Sequence, residues 1–307
     1  MKKVVFLGDF NVDLILDGLE AAAVPDREVG CASFDIAMGA SSCIAACAYA
    51  SLGGSAWAGG LSGPDDFGRF MRDGLQECGV RTDMMRIDPS LKTGVTVNLV
   101  RDGARIQVTW PGSMGKFSLA DIPDGLLDGM AHLHVSGIYH AKALLPQVSD
   151  LLARAAATGA TCSLDCQWDP AGRWEHLEEW LPRIDWLFAN ADEARSMTGR
   201  AGPADALRAL ADRTRCPVIK NGAAGASVMA DGRRVDQPAP RVEVVDTIGA
   251  GDNFDAGFLY AAIEMGMAPP DAVRAANAAA GRSCTFRGGT LARSTWQDVI
   301  SFMGRLP

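Results

Sequence analysis

Basic residues are in deficit: 29 Lys and Arg stand against 37 Asp and Glu in 307 residues, for a formal net charge of −8. That balance gives no electrostatic reason to bind nucleic acid or an anionic membrane surface, so the expected partners are small molecules. The opening MKKVVFLGDFNVD is broken at Gly8 and Asp9, too soon for a signal peptide or a spanning helix. It is expected to form a first strand instead. Eight cysteines (31, 43, 47, 78, 162, 166, 216 and 284) lie mostly inside apolar runs and lack the paired spacing of a zinc site. Free thiols in a reducing, cytoplasmic setting account for them. Cys162 and Cys166 could ligate a metal at a strand end, although small core residues explain the pair as well. Three nucleotide signatures are missing too: there is no G-x-x-x-x-G-K-[ST], Gly249-x-Gly251 is not followed by glycine at 254, and the protein-kinase catalytic set is absent.

What remains is ordinary globular composition, 48% hydrophobic and 21% charged, enough for a large core. Short apolar runs alternate with helical patterns: VVFLGD (4–9), HLHVSG (132–137), TCSLD (161–165), WLFAN (186–190), PVIKN (217–221) and VEVVD (242–246). Residues 144–158 and 203–214 carry Leu and Ala at helical spacing. The pattern predicts an α/β fold, a central mostly parallel sheet with helices on both faces. Two segments, about 12–37 and 93–111, break the alternation. In the second, Val95, Val97 and Leu99 alternate with smaller or polar residues, Asp102-Gly103 marks a hairpin, and Ile106, Val108 and Trp110 resume the alternation. These segments are expected to form a small antiparallel lid on a single domain spanning 1–307, for there is no repeat, low-complexity tract or long linker.

Polar residues close the apolar runs: Asp9, Asp165, Asn190, Lys220-Asn221 and Asp246. Singly, each is an ordinary turn residue. On parallel strands they would gather at one rim, where open α/β sheets bind ligands. The stretch VVDTIGAGDNF (244–254) places Gly249-Ala250-Gly251 between Asp246 and Asp252, ahead of a helical pattern with Phe254, Phe258 and Met265 on one face. A glycine-rich entry into a helix aims free N–H groups at an anion, with the positive end of the helix dipole behind them. A carboxylate at its edge, Asp252, can take a proton from an attacking hydroxyl. A tight turn with an acidic first-turn residue is the plainer account of the same letters.

The stretch Asp246-Thr-Ile-Gly-Ala-Gly-Asp252-Asn-Phe-Asp-Ala-Gly257 resembles the C-terminal signature of the ribokinase-like, PfkB carbohydrate kinases. GDFNVD (8–13), GASS (39–42), GPDDFG (63–68), KTG (92–94), PGS (111–113), NADE (190–193), KNGAAGA (220–226) and ANAAA (276–280) follow in the family's order. The resemblance implies the ribokinase-like fold and an ATP-dependent kinase in which Asp252 is the base and Gly249, Ala250 and Gly251 form an anion hole. It implies that Asn190 and Glu193 help place Mg²⁺, mostly through water, which suits the oxygen ligands Mg²⁺ prefers; the same pair is also a helix-capping pattern. It further implies nucleotide contacts from Lys220, Gly222, Gly225, Asn190 and Asn277, and sugar contacts from Asn11, Asp13 and Gly39 beneath the lid. In many members Asp246 and the backbone near Arg287-Gly288 hold a monovalent cation such as K⁺.

The sequence departs from the family at Ala40, where a second glycine is usual, and at Cys43-Ile44, where an asparagine is usual. Both departures fall on the sugar side. The expected acceptor is a small ribose-like or fructose-like sugar. A 2-keto-3-deoxygluconate kinase, a nucleoside kinase and a catalytically silent sugar-binding regulator stay open, as does a homodimer formed through the lid. For acidic acceptors, WPGS (110–113) lacks the basic residue usual there, while Arg105 and Lys116 offer positive charge nearby. His132 and His134 share a strand face as a metal pair would, but no third ligand is evident. The tryptophans at 168, 174, 180 and 186 read as packing residues.

Overall fold

In the computed structural model, which describes residues 1–102, 104–290 and 292–304, the strands are β1 (Lys3–Gly8), β2 (Asn11–Leu19), β3 (Cys31–Met38), β4 (Ser55–Gly59), β5 (Leu61–Ser62), β6 (Arg86–Ile87), β7 (Gly94–Arg101), β8 (Ala104–Trp110), β9 (His132–Ser136), β10 (Thr161–Asp165), β11 (Trp186–Asn190), β12 (Cys216–Lys220), β13 (Ala226–Ala230) and β14 (Arg233–Gln237). The α-helices are α1 (Ser41–Ser51), α2 (Asp66–Glu77), α3 (Asp124–Leu127), α4 (Val148–Ala157), α5 (Leu177–Trp180), α6 (Ala191–Thr198), α7 (Pro203–Ala211), α8 (Ala250–Ile263), α9 (Pro269–Ser283) and α10 (Trp296–Met303).

Eight strands make the main sheet in the order β14-β13-β12-β11-β10-β9-β1-β4. The six from β12 to β4 run parallel, and the β13–β14 hairpin extends one edge antiparallel. Each strand's residues alternate between two apolar layers. Val5 and Leu7 of β1 join Leu133, Leu164 and Leu187 on one side; Val4 and Phe6 join Phe188, Phe258 and Ala276 on the other. A sheet covered on both faces in this way needs near-continuous apolar strands, the pattern the sequence carries. Alternating positions of β9 and β10 bring His132, His134, Thr161 and Ser163 together. Both histidines are buried, and the Ser163 hydroxyl lies within hydrogen-bond distance of each. No metal-type group of three His, Cys, Asp or Glu occurs among the described residues. Cys162 and Cys166 are buried and free.

The run VEVVD does not form a strand. Residues 241–249 are irregular, Val244 and Val245 lie more than half exposed, and the Val245 and Asp246 amides bond to the Cys284 carbonyl beyond the end of α9. Pro238 and Pro240 remove ladder donors just past β14, so alternating valines alone do not continue the sheet.

The second sheet has the order β3-β2-β7-β8. Its outer pairs are antiparallel, while β2 and β7 at its centre run parallel. Gly103, second residue of the expected turn, lies outside the described residues; Asp102 adopts φ 50°. Register aligns Phe34, Leu16, Leu99 and Ile106 in one cross-strand row, and Met38, Val12, Val95 and Trp110 in another. One face is therefore apolar, and Ile106 (60%) and Trp110 (53%) stay exposed on it. The alternate residues Asp13, Thr96, Arg105, Gln107 and Thr109 line a cleft. No helix among the described residues is long and apolar enough to cross a membrane.

Candidate active site

The carboxyl ends of the parallel strands open on a cleft of about 970 Å³. Its floor is the start of α8. Gly249 is the residue before that helix, at φ 70°, with no side-chain cap; the Ala250 amide donates to the Thr247 carbonyl at 3.2 Å, and the Gly251 and Asp252 amides are left for an outside acceptor. A Cβ on Gly249 would lie 2.7 Å from the Gly289 Cα. Two side chains pin this turn. Asn253 Nδ2 donates to the Gly249 and Gly289 carbonyls at 2.9 Å each, and the Asp246 carboxylate accepts from the Ile248 amide at 2.9 Å and the Gly288 amide at 2.8 Å.

Asp252 sits in the first turn of α8 and faces the cleft. Burial, with the Asp165 carboxylate nearby, pushes its carboxyl up to about 8 in spite of Lys220. Gln167 Nε2 donates to it weakly at 3.5 Å. Lys220, at the end of β12, reaches Asp165 Oδ2 at 2.7 Å and Asp255 Oδ1 at 3.2 Å. Both acids are buried. Against the cost of burial, Lys220 holds Asp165 below the usual carboxylate range; burial drives Asp255 well above it.

Asn190 and Glu193 form the capping box of α6. Asn190 Oδ1 accepts from the Asp192 and Glu193 amides at 2.9 Å each, and Glu193 Oε2 accepts from the Asn190 amide at 2.8 Å. Both residues also line the cleft. Burial and Asp165 push Glu193 up to about 7. The second Glu193 oxygen has no hydrogen bond among the described residues, so one carboxylate oxygen remains for the water shell of a Mg²⁺, and that oxygen donor fits the ion.

At the other end, Asn11 Nδ2 donates to Asp13 Oδ1 at 3.1 Å and to Thr96 Oγ1 at 3.0 Å. Burial, then Asp9, raises Asp13 to about 6. Gly39 belongs with them, for a Cβ there would lie 2.5 Å from Asp13 Oδ1 and 2.8 Å from Asn11 Nδ2. Ala40, the departure from two glycines, sits before α1 at φ 67°, where a side chain is strained. The Asp9 carboxylate accepts from the Ser41 and Ser42 amides, both at 3.3 Å, and so caps α1.

The fold thus gathers Asn11, Asp13, Asn190, Glu193, Lys220, Gly222 and Gly249 to Asp252 around one cleft. It does not bring Asn277 there: the Asn277 amide is buried and donates to the Gln237 and Pro238 carbonyls at 2.9 and 3.2 Å. Gly39, Gly225 and Asp246 also lie outside the cleft wall. The ammonium of Lys220 is engaged with acids rather than turned to Gly222 and Gly225. Sequence reasoning missed Asp255, Gln167 and the Tyr139-His140-Lys142 loop, which all adjoin or line the site. The signal for the loop was its place directly after a parallel strand, where ligand residues collect.

Residues 1–296 match the model of the pfkB family carbohydrate kinase. The aminoimidazole riboside kinase of Salmonella typhimurium is 28% identical over 300 residues, covering 85% of this chain and 81% of that protein. The crystal structure of aminoimidazole riboside kinase from Salmonella enterica, complexed with aminoimidazole riboside and an ATP analog, gives a TM-score of 0.80 at 25% identity over 98% of this chain and 99% of that one. A putative ribokinase II from E. coli in complex with ATP and Mg²⁺ shares the fold, with a TM-score of 0.87 at 20% identity over 99% and 100% of the two chains.

Proposed function

The chain belongs to the pfkB family of carbohydrate kinases, and from that membership we propose that it transfers the γ-phosphoryl group of ATP to a hydroxyl of a small ribose-like or fructose-like sugar. The observation that carries this reading is a buried, cleft-facing Asp252 beside an uncapped helix start. The sugar lies against Asn11 and Asp13, which Gly39 backs, with its reacting hydroxyl toward Asp252. Ionised Asp252 takes the hydroxyl proton, and the oxygen attacks the γ-phosphorus as the bond to ADP breaks. Amides of Gly249, Gly251 and Asp252 stabilise charge on the phosphoryl group in transit. Nucleotide lies over Gly222 and Asn190. Mg²⁺, held through water near Asn190 and Glu193, neutralises phosphate charge when bound.

A coupled ADP-release assay over ribose, fructose, nucleosides and acidic sugars tests the reading. Ligand binding without turnover on any acceptor would leave a silent sugar-binding regulator in its place. A second reading, an acceptor with a carboxylate such as 2-keto-3-deoxygluconate, is favoured by Arg105 and Lys142. Both line the cleft, and neither side chain has an ion pair among the described residues.

The apolar face of the second sheet is proposed to pair with its own copy, since exposed apolar patches of this kind mark interfaces. K⁺ near Asp246 and Gly288 is proposed on the family's pattern. Turnover in potassium salts compared with tetramethylammonium salts tests it, and equal rates would remove it.

A further inference from the structure

We propose that Lys220 is a positioning residue for phosphoryl transfer: clamped by Asp165 and Asp255, its ammonium braces the glycine turn and first helical turn that carry Asp252. The proposal rests on the kinase reading above and adds a role for three residues that reading leaves without one.

Three elements meet at the ammonium. Asp165 ends β10, Lys220 ends β12, and Asp255 lies on α8 one turn beyond Asp252. The bonds of 2.7 Å to Asp165 and 3.2 Å to Asp255 therefore tie the helix that bears the base directly to the sheet. A Cβ built on Gly251 would lie 3.3 Å from Lys220 Nζ, so the ammonium packs close against the backbone that would receive the phosphoryl group. Lys220 is 14% exposed, whereas both acids are sealed from solvent, and its side chain forms part of the cleft wall.

Cohesion alone is a poor reason for such a cluster. Two apolar layers already pack the sheet, and well-packed hydrophobic residues replace buried ion networks with little or no loss of stability. What the cluster offers instead is a fixed position, because any displacement of α8 from β10 and β12 breaks charge-assisted bonds to two buried acids. It also sets positive charge behind the amides. The resemblance of KNGAAG to a nucleotide loop implies that Lys220 meets ATP. The observed bonds point its charge at Asp165 and Asp255.

The test compares wild type with Lys220→Met, with Lys220→Ala, and with Asp165→Asn/Lys220→Met/Asp255→Asn, which neutralises the whole cluster and guards against misfolding caused by stranded acids. Turnover on an accepted sugar and ATP affinity by calorimetry are measured for each. The expected result is a kcat about 10- to 100-fold lower in Lys220→Met and in the triple variant, with the Kd for ATP within about threefold of wild type. Propylammonium should restore part of the kcat of Lys220→Ala, and propanol should not. Folded variants that keep kcat within threefold overturn the proposal. So does a loss confined to ATP affinity, which would make Lys220 a nucleotide ligand. Wild type without turnover on any acceptor overturns the kinase reading and this proposal together, whereas active wild type beside equally active variants overturns this one alone.

Discussion

Replacing Asp252 with asparagine should make the protein slower and more stable at once. The side chain keeps its shape and can still accept from Gln167, but it no longer ionises. In the folded protein Asp252 rises from an ordinary 3.8 to about 8, chiefly through burial. A shift of ~4 units at about 1.36 kcal/mol each sets a ceiling of about 5–6 kcal/mol on what its ionisation costs the fold. Relaxation and water entry reduce this to on the order of 2 kcal/mol. The sign follows from the folded value lying above the unfolded one. Between about pH 4 and pH 8 the folded chain holds a proton that the unfolded chain has released, so this group's contribution to stability falls as pH rises through that window. Asparagine is indifferent to pH. Its advantage should be near zero at pH 4 and complete above pH 8, where about 2 kcal/mol corresponds to roughly 3 °C in Tm for a chain of this size. Thermal melts of both proteins across that range, with ADP release measured on the same samples, give the answer. Turnover should fall by roughly 10²- to 10⁴-fold. Equal Tm values at pH 8.5, or an advantage for the variant that shrinks as pH rises, would refute a buried, reluctantly ionised base.

The same raised value predicts that kcat/KM of wild type climbs about tenfold per pH unit up to about 8 and then levels, because the free enzyme must first lose the Asp252 proton; a profile flat down to pH 6 would contradict it. Gly249→Ala puts a Cβ 2.7 Å from the Gly289 Cα at φ 70°, so it should cost about 1–3 kcal/mol and lower kcat with it, and a variant of unchanged Tm and rate would show that the turn has another way to fit. Ile106→Asp places a charge on the apolar face of the second sheet; light scattering after gel filtration should find this variant monomeric and wild type dimeric, and identical masses would exclude pairing through that face.

How much of this could be read from the letters depended on how far apart the partners lie in sequence. Gly249 to Asp252 form one local turn, and their glycines state what the backbone must do. Asn190 and Glu193, three residues apart, were legible as a capping pair, and the fold makes them one while also setting them on the cleft. Asp165, Lys220 and Asp255 were not legible as a group. Their meeting depends on β10 and β12 flanking β11 and on α8 crossing above them, which strand order decides and local pattern does not. The valines of VEVVD misled for the opposite reason: local alternation was present, but prolines upstream had already ended the ladder it would have joined. On the acceptor side, His140 and Lys142 come from a loop after β9 and Arg105 from β8, elements that only tertiary pairing brings to face one another.

Two helix starts, those of α1 and α8, look into the cleft, and the fold treats them oppositely. Asp9 occupies the first with its own carboxylate, while the second is left open. A visiting molecule therefore finds one welcoming pole and one already taken, and a guest that enters back to front would press its negative end against an acid. Of the two helix starts on the cleft, only that of α8 is thus left with amides to offer an anion.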